Sequence, residues 1–209
     1  MAGRFITLEG GEGAGKSTQL RLLADALCAR GLPVLRTREP GGAPGAELLR
    51  GVLLDGAVEW SPLAETLLHF AARAEHVAKT IRPALAAGMW VVCDRFTDST
   101  LAYQGYGQQA DRHAIEALIA MVGLLPDLTL VLDVSEPVAA ERLRRRGSAA
   151  DRYERLDPGF HARVNAGFLA IARSAPQRCV VIDANGNEAA VHAAILAAVS
   201  AWEGTSARD

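Results

Sequence analysis

Cysteine is scarce in this chain. The three that occur, Cys28, Cys93 and Cys179, are odd in number and form no C-x-x-C pair. That excludes a disulfide scaffold and a zinc ribbon, and it suits reduced thiols in a cytosol. No uncharged stretch reaches the roughly 18 residues that span a bilayer. The opening Met1-Ala2-Gly3-Arg4-Phe5 has no long apolar run before Glu9, so a secretory signal is not expected there. An excess of one charge is missing too: 22 Lys and Arg against 24 Asp and Glu leave −2. Such a balance gives no global reason to bind a nucleic-acid polymer or an anionic membrane, so any basic site must be local. The histidines at 69, 76, 113, 161 and 192 show no ligand spacing and read as structural rather than as a metal site. The expectation is a soluble, cytoplasmic protein.

What remains is ordinary globular material. Half of the 209 residues are hydrophobic and 22% are charged, which rules out disorder or coiled coil for the whole. The length predicts one domain, residues 1–209, with a short lid. Strand and helix signals alternate. Apolar runs at 5–8, 33–37, 89–93, 128–132 and 179–182 read as strands. Helical patterns at 20–31, 47–54, 62–87, 111–122, 137–146, 159–174 and 188–202 separate them. On the long pattern at 62–87, Ala64, Leu67, Leu68 and Ala71 form an apolar stripe. A polar segment at 147–158 is the lid candidate, and residues 204–209 read as a frayed tail. Strands alternating with helices predict an α/β fold: a five-stranded parallel sheet with helices on both faces. Ligands of such folds bind beyond the carboxyl ends of the strands, here after residues 9, 37, 93 and 133.

The first of those positions carries the strongest motif. Gly10-Gly11-Glu12-Gly13-Ala14-Gly15-Lys16-Ser17, with Thr18 following, matches G-x-x-x-x-G-K-[ST] between a strand and a helix. Glycines let successive N–H groups close on a phosphate, and the helix adds its positive dipole end. Lys16 would bridge phosphate oxygens and Ser17 would ligate Mg²⁺, so the fold class is that of the P-loop NTPases. The motif does not separate GTPases, ATPases and kinases. No N-K-x-D stretch for guanine is present, and the chain is short for a motor. A small-molecule kinase leads, and a nucleotide-dependent switch stays open.

The third strand ends in Asp94-Arg95-Phe96. Asp94 sits where a carboxylate holds Mg²⁺ through water beside Ser17. Arg95 sits where a planar guanidinium clamps a second phosphate. Thr37-Arg38-Glu39-Pro40-Gly41-Gly42 follows the second strand, and Ser99 with Ala102-Tyr103-Gln104 follows the Asp-Arg turn. Together with the glycine loop, in this order and spacing and over about residues 4–202, these segments resemble the thymidylate kinase family.

The resemblance implies transfer of the ATP γ-phosphoryl to dTMP, and a homodimer through helices near 62–87 and 111–122. Phe70 and Arg73 share a helix face, where a ring can stack on a base and a guanidinium can donate to thymine O4. Gln104 offers a donor and an acceptor to N3–H and its neighbouring carbonyl. Tyr103 would crowd the ribose 2′ position. Arg50 and Arg95 would hold the acceptor phosphate, and Glu39 would lie near the acceptor and its metal or water shell. Glu12 would repel phosphates directly, so it is expected at the acceptor sugar or a hydrated metal. Because position 14 is Ala, the chain resembles the members that carry their arginine in the lid, and Arg152 is the expected transition-state contact. A kinase for another nucleoside monophosphate is the alternative within enzymes, and the set of Phe70, Arg73 and Gln104 argues against purines.

Overall fold

The computed structural model describes residues 3–147 and 152–206. Five strands form one parallel sheet: β1 (Arg4–Glu9), β2 (Val34–Arg38), β3 (Trp90–Asp94), β4 (Leu128–Asp133) and β5 (Cys179–Asp183). Their order is β2-β3-β1-β4-β5. β1 in the middle reads Phe-Ile-Thr-Leu with no exposed residue, as a strand covered on both faces requires. The register pairs Leu8 and Arg38 with Asp94, Glu9 with Val131, and Asp133 with Asp183. Charged residues therefore collect along the carboxyl rim, above largely apolar stretches of β3 and β4.

The side-chain period of two sends alternate residues to two cores. On one face Ile6, Leu8, Val92 and Leu130 meet Leu20, Leu23 and Leu27 of α1 (Lys16–Ala29) and Val191, Ile195 and Val199 of α9 (Glu188–Ser206). On the other face Phe5, Val91 and Cys93 pack on Val77, Ile81 and Ala84. Val131 there packs on Phe160, Val164 and Phe168 of α8 (Pro158–Ser174). Emptying one such position, as in Leu23→Ala, costs about 2–5 kcal/mol.

Three local differences from the sequence reading matter. First, α3 (Pro62–His76) runs through a π-helical turn (Val77–Ile81) into α4 (Arg82–Ala86), and its apolar stripe is not its buried face, Ala64 and Leu68 being only half-buried. Leu67 and Ala71 face solvent, while Glu65, Thr66, Phe70, Ala72, Arg73 and His76 are buried. Periodicity found the helix but does not reveal its buried face, because that face is largely polar and lines the cavity. Second, the segment after β3 is helical, as α5 (Thr97–Thr100) and a π-helical stretch (Leu101–Gly107). Its glycines hid it. At Gly107 a Cβ would sit 2.5 Å from the Phe160 ring, so glycine is what lets α8 pack this closely. Third, α9 continues to Ser206, past the expected fraying at 204; residues 207–209 lie outside the described residues. So do 148–151 of the expected lid. α2 (Pro44–Leu54), α6 (Arg112–Val122) and α7 (Glu136–Arg146) complete the helices named below.

Candidate active site

The glycine loop joins the end of β1 to the start of α1. Gly10, Gly13 and Gly15 all have positive φ, which only glycine adopts freely. At Gly13 a Cβ would lie 2.6 Å from the Ala139 carbonyl oxygen. The Lys16 ammonium folds back on the loop and donates to Gly10 O at 3.1 Å and Gly11 O at 2.8 Å. Burial lowers its pKa and Arg95 lowers it further, against Glu12, which raises it. A cavity of about 550 Å³ opens here, lined by residues 12–18 at one end. Gly10 and Gly11 do not line it. Their carbonyls instead hold Lys16, and Gly10 O also accepts from Arg95 at 3.1 Å.

β3 delivers Asp94 and Arg95 beside the loop. Asp94 Oδ2 accepts from the Ser17 hydroxyl at 2.7 Å, and its Oδ1 is buried with no partner. Arg95 takes the left-handed conformation, φ 70°, unusual for a residue with a side chain. This turns its guanidinium over the Tyr103 ring, 4.8 Å from the centroid. From there Arg95 donates to Glu12 at 2.5 Å, Tyr103 at 2.9 Å and Ser99 at 3.3 Å. Tyr103 donates to the same Glu12 oxygen at 2.6 Å. Burial alone would raise the Glu12 pKa, but the Arg95 and Lys16 charges outweigh it and hold Glu12 at about 2. Glu9 behaves oppositely. Burial and the neighbouring Asp98 charge raise it to about 7, although Ser99 and the Phe96 N–H donate to it at 2.6 and 2.7 Å.

The far end of the cavity is walled by α3 and the helix after β3. Arg73, expected there, is only 2% exposed. Its Nε donates to Glu39 at 2.7 Å and its Nη2 to Phe96 O and Thr100 Oγ1 at 3.0 and 3.1 Å, while Nη1 is buried without a partner. Glu39 is held from its other oxygen by His76 at 3.0 Å. Arg50 lines the cavity and donates to Pro40 O at 2.7 Å. Gln104, Tyr103 and Ser99 line it too. Phe70 does not. Its ring lies 4.8 Å from the Arg73 guanidinium carbon and backs that cation.

Sequence reasoning missed His69, Glu65, Thr100 and Tyr153. His69 lines the cavity beside Tyr153, 2.8 Å away. Burial, then the Arg73 and Arg152 charges, lower its pKa to about 3, so it is a neutral ring. One signal was present: Glu65, His69, Arg73 and His76 recur at helical spacing along α3, a polar stripe in an otherwise Ala- and Leu-rich helix.

The arginines of α7 and of the segment after it divide. Arg142 donates to Gly186 O at 2.8 Å and stretches over Gly13 O and Ala14 O. Arg146 grips Glu154 at 2.6 Å. Arg142 and Arg146 line the cavity. Arg152 does not, because its Nη2 is paired with buried Glu65 at 2.6 Å. In this conformation the expected transition-state arginine is therefore engaged away from the glycine loop.

The family model described as Thymidylate kinase matches residues 8–195. The chain is 56% identical over 200 residues to a thymidylate kinase of Chromohalobacter salexigens, covering 93% of this chain and 94% of that protein. It is 55% identical over 196 residues to one of Caulobacter vibrioides, covering 92% and 94%. The crystal structure of a thymidylate kinase from Ehrlichia chaffeensis superposes with a TM-score of 0.80 at 37% identity, over 96% of this chain and 99% of that one.

Proposed function

The chain belongs to the thymidylate kinase family, and from that premise we propose how its own residues carry the reaction. It is a dTMP kinase: it phosphorylates dTMP to dTDP. We take the donor to be ATP with Mg²⁺. The observation that carries the proposal is one cavity lined both by the glycine loop and by Arg73 and Gln104. It suits two nucleotides held end to end.

The acceptor is already an anion at neutral pH, so the reaction needs no general base. The difficulty is repulsion between two polyanions, and positioning with charge neutralisation is the remedy. Residues 10–18 cradle the donor phosphates through their backbone N–H groups and the start of α1. Lys16 exchanges its loop carbonyls for phosphate oxygens. Ser17 Oγ and Asp94, whose Oδ1 has no partner, fit a hard cation that keeps most ligands from phosphate and water. Mg²⁺ there would neutralise developing phosphate charge. Arg95 and Arg50 hold the acceptor phosphate, and Ser99 and Tyr103 steady Arg95. Glu12 aims Arg95 rather than meeting phosphate. Arg73, fixed by Glu39 and backed by Phe70, donates Nη1 to the base, and Gln104 meets the base edge. Tyr103 limits room at the ribose 2′ position. Arg152 joins the transferring phosphoryl only after leaving Glu65.

No helix among the described residues is long and apolar enough to cross a membrane, and we infer a cytoplasmic enzyme. We also infer a homodimer. α2, α3 and α6 are neighbours, and they present Leu48, Leu63, Leu67 and Met121 to solvent at 76, 60, 47 and 81% exposure. Exposed large apolar residues grouped on adjacent elements mark a protein interface. The test of the activity is coupled ADP release with dTMP, dUMP, dCMP, AMP and GMP in turn. Turnover is expected with dTMP foremost, and preference for AMP or GMP ends the thymine reading.

A further inference from the structure

Glu65 is a carboxylate with no solvent exposure, on the inner face of α3. Three hydrogen-bond donors and one guanidinium charge converge on it. Its Oε1 accepts from Gln104 Nε2 at 2.8 Å, Gln108 Nε2 at 2.7 Å and the Tyr153 hydroxyl at 2.9 Å. Its Oε2 pairs with Arg152 Nη2 at 2.6 Å. So surrounded, Glu65 acts only as an acceptor.

The consequence falls on Gln104. A glutamine amide has a donor end and an acceptor end, and its neighbours decide which way it points. Here Nε2 is committed to Glu65, and its second hydrogen has the Tyr153 oxygen 3.4 Å away. The opposite end, Oε1, is left for the cavity that Gln104 lines. Arg73 lines the same cavity and keeps one buried Nη1 without a partner. The pocket thus offers one spare donor and one spare acceptor.

We propose that Glu65 is a positioning residue for base selection: by fixing the Gln104 amide it makes the pocket complementary to a pyrimidine with a 4-oxo group and an N3–H. The inference rests on the dTMP reading and adds the source of its selectivity. A 4-oxo pyrimidine gives Arg73 an acceptor and gives Gln104 Oε1 a donor. A 4-aminopyrimidine presents a donor to Arg73 and a lone pair to Oε1. Both contacts then oppose like to like and leave polar groups unpaired in a closed site. Without an acceptor-only neighbour the amide would rotate and accommodate the 4-amino edge.

The test is kcat/KM for dTMP, dUMP and dCMP with the wild type and Glu65→Gln. A glutamine at 65 offers either end to Gln104, so the amide loses its fixed sense. The wild type should prefer dTMP to dCMP by about 10³-fold or more. Glu65→Gln should cut that preference by about tenfold or more and leave dTMP over dUMP unchanged, since uracil has the same polar edge. An equal fall for all three substrates is what a structural role produces, and it overturns the proposal. Should Glu65→Gln not fold, Gln104→Met removes the same acceptor, and an intact preference over dCMP there is equally fatal. A wild type inactive on dTMP removes the underlying reading, and is seen before any variant is made.

Discussion

Arg95 and Glu12 form an ion pair of 2.5 Å in which both side chains are more than four-fifths out of water. Tyr103 closes the arrangement, its hydroxyl on Glu12 and its ring under the guanidinium. The arginine proposed to hold the acceptor phosphate is thus fixed by a carboxylate on the neighbouring loop with no ligand needed. Pre-orientation of this kind lowers the reorganisation needed when charge develops.

Arg95→Ala and Lys16→Ala should each lower kcat by about 10²-fold or more with the fold kept. Steady-state turnover alongside circular dichroism checks this. Arg95→Lys should restore little, because one ammonium cannot span Glu12, Tyr103 and a phosphate as a planar fork does. Unchanged turnover in either alanine variant removes the assigned role.

The same pair makes a pH prediction. The Glu12 pKa is depressed from 4.5 to about 2 in the folded chain. Its stabilisation is therefore complete above pH 4.5 and is lost as pH falls toward 2. The interval corresponds to about 3 kcal/mol. Urea midpoints at pH 5 and pH 3 should fall more steeply for the wild type than for Glu12→Gln, whose side chain does not titrate. Parallel loss in both proteins would mean that the carboxylate is not held by Arg95 in solution.

Arg152→Ala should lower kcat more than it weakens ATP binding, since the proposed contact forms only during transfer. Release from Glu65 must come first. An effect confined to the KM for dTMP would move Arg152 to the acceptor site instead.

How far the residues alone revealed this depended on the kind of signal. The glycine loop and the Asp94-Arg95 turn were legible because a short motif at a strand end fixes backbone and chemistry together. The sheet was legible because strands covered on both faces read as apolar runs. The helix of Thr97–Gly107 was not, since it is held by tertiary packing under α8 and carries glycines where a pattern wants apolar residues. Phe70 reads as a platform for a base, and its contact with the Arg73 guanidinium, 4.8 Å from the ring centroid, became visible only in three dimensions. Glu65 was invisible because its role comes from Gln104, Gln108 and Tyr153, brought together from distant positions.

Away from the cavity, Arg178 donates to both oxygens of Asp98 at 2.6 and 2.8 Å, and Asp98 is 1% exposed. The bonds to Asp98 raise the arginine's pKa. Arg178→Leu strands a buried carboxylate beside Glu9 and should cost about 3–5 kcal/mol. Urea unfolding measures it. A loss under about 1 kcal/mol would class the pair with exposed bridges.

The outward apolar face of α2, α3 and α6 gives the last prediction. Leu67 belongs to the apolar stripe of α3 and stands 47% exposed, and Met121 on α6 is 81% exposed. A helix that turns polar groups inward to a cavity and Leu63 and Leu67 outward makes sense if a second copy covers the leucines. Leu67→Asp and Met121→Asp each place a charge where such an interface would bury it. An unpaired buried charge is strongly disfavoured, whereas the same residue on a free monomer surface costs little. Sedimentation velocity should therefore show a dimer for the wild type and a shift toward monomer for each variant, with the monomer fold retained. A wild type that sediments as a monomer at all concentrations would leave these leucines without a partner and overturn the assignment. Because α3 also carries Arg73 and Glu65, the shift should come with a raised KM for dTMP: an interface that braces one side of the helix steadies the groups on the other.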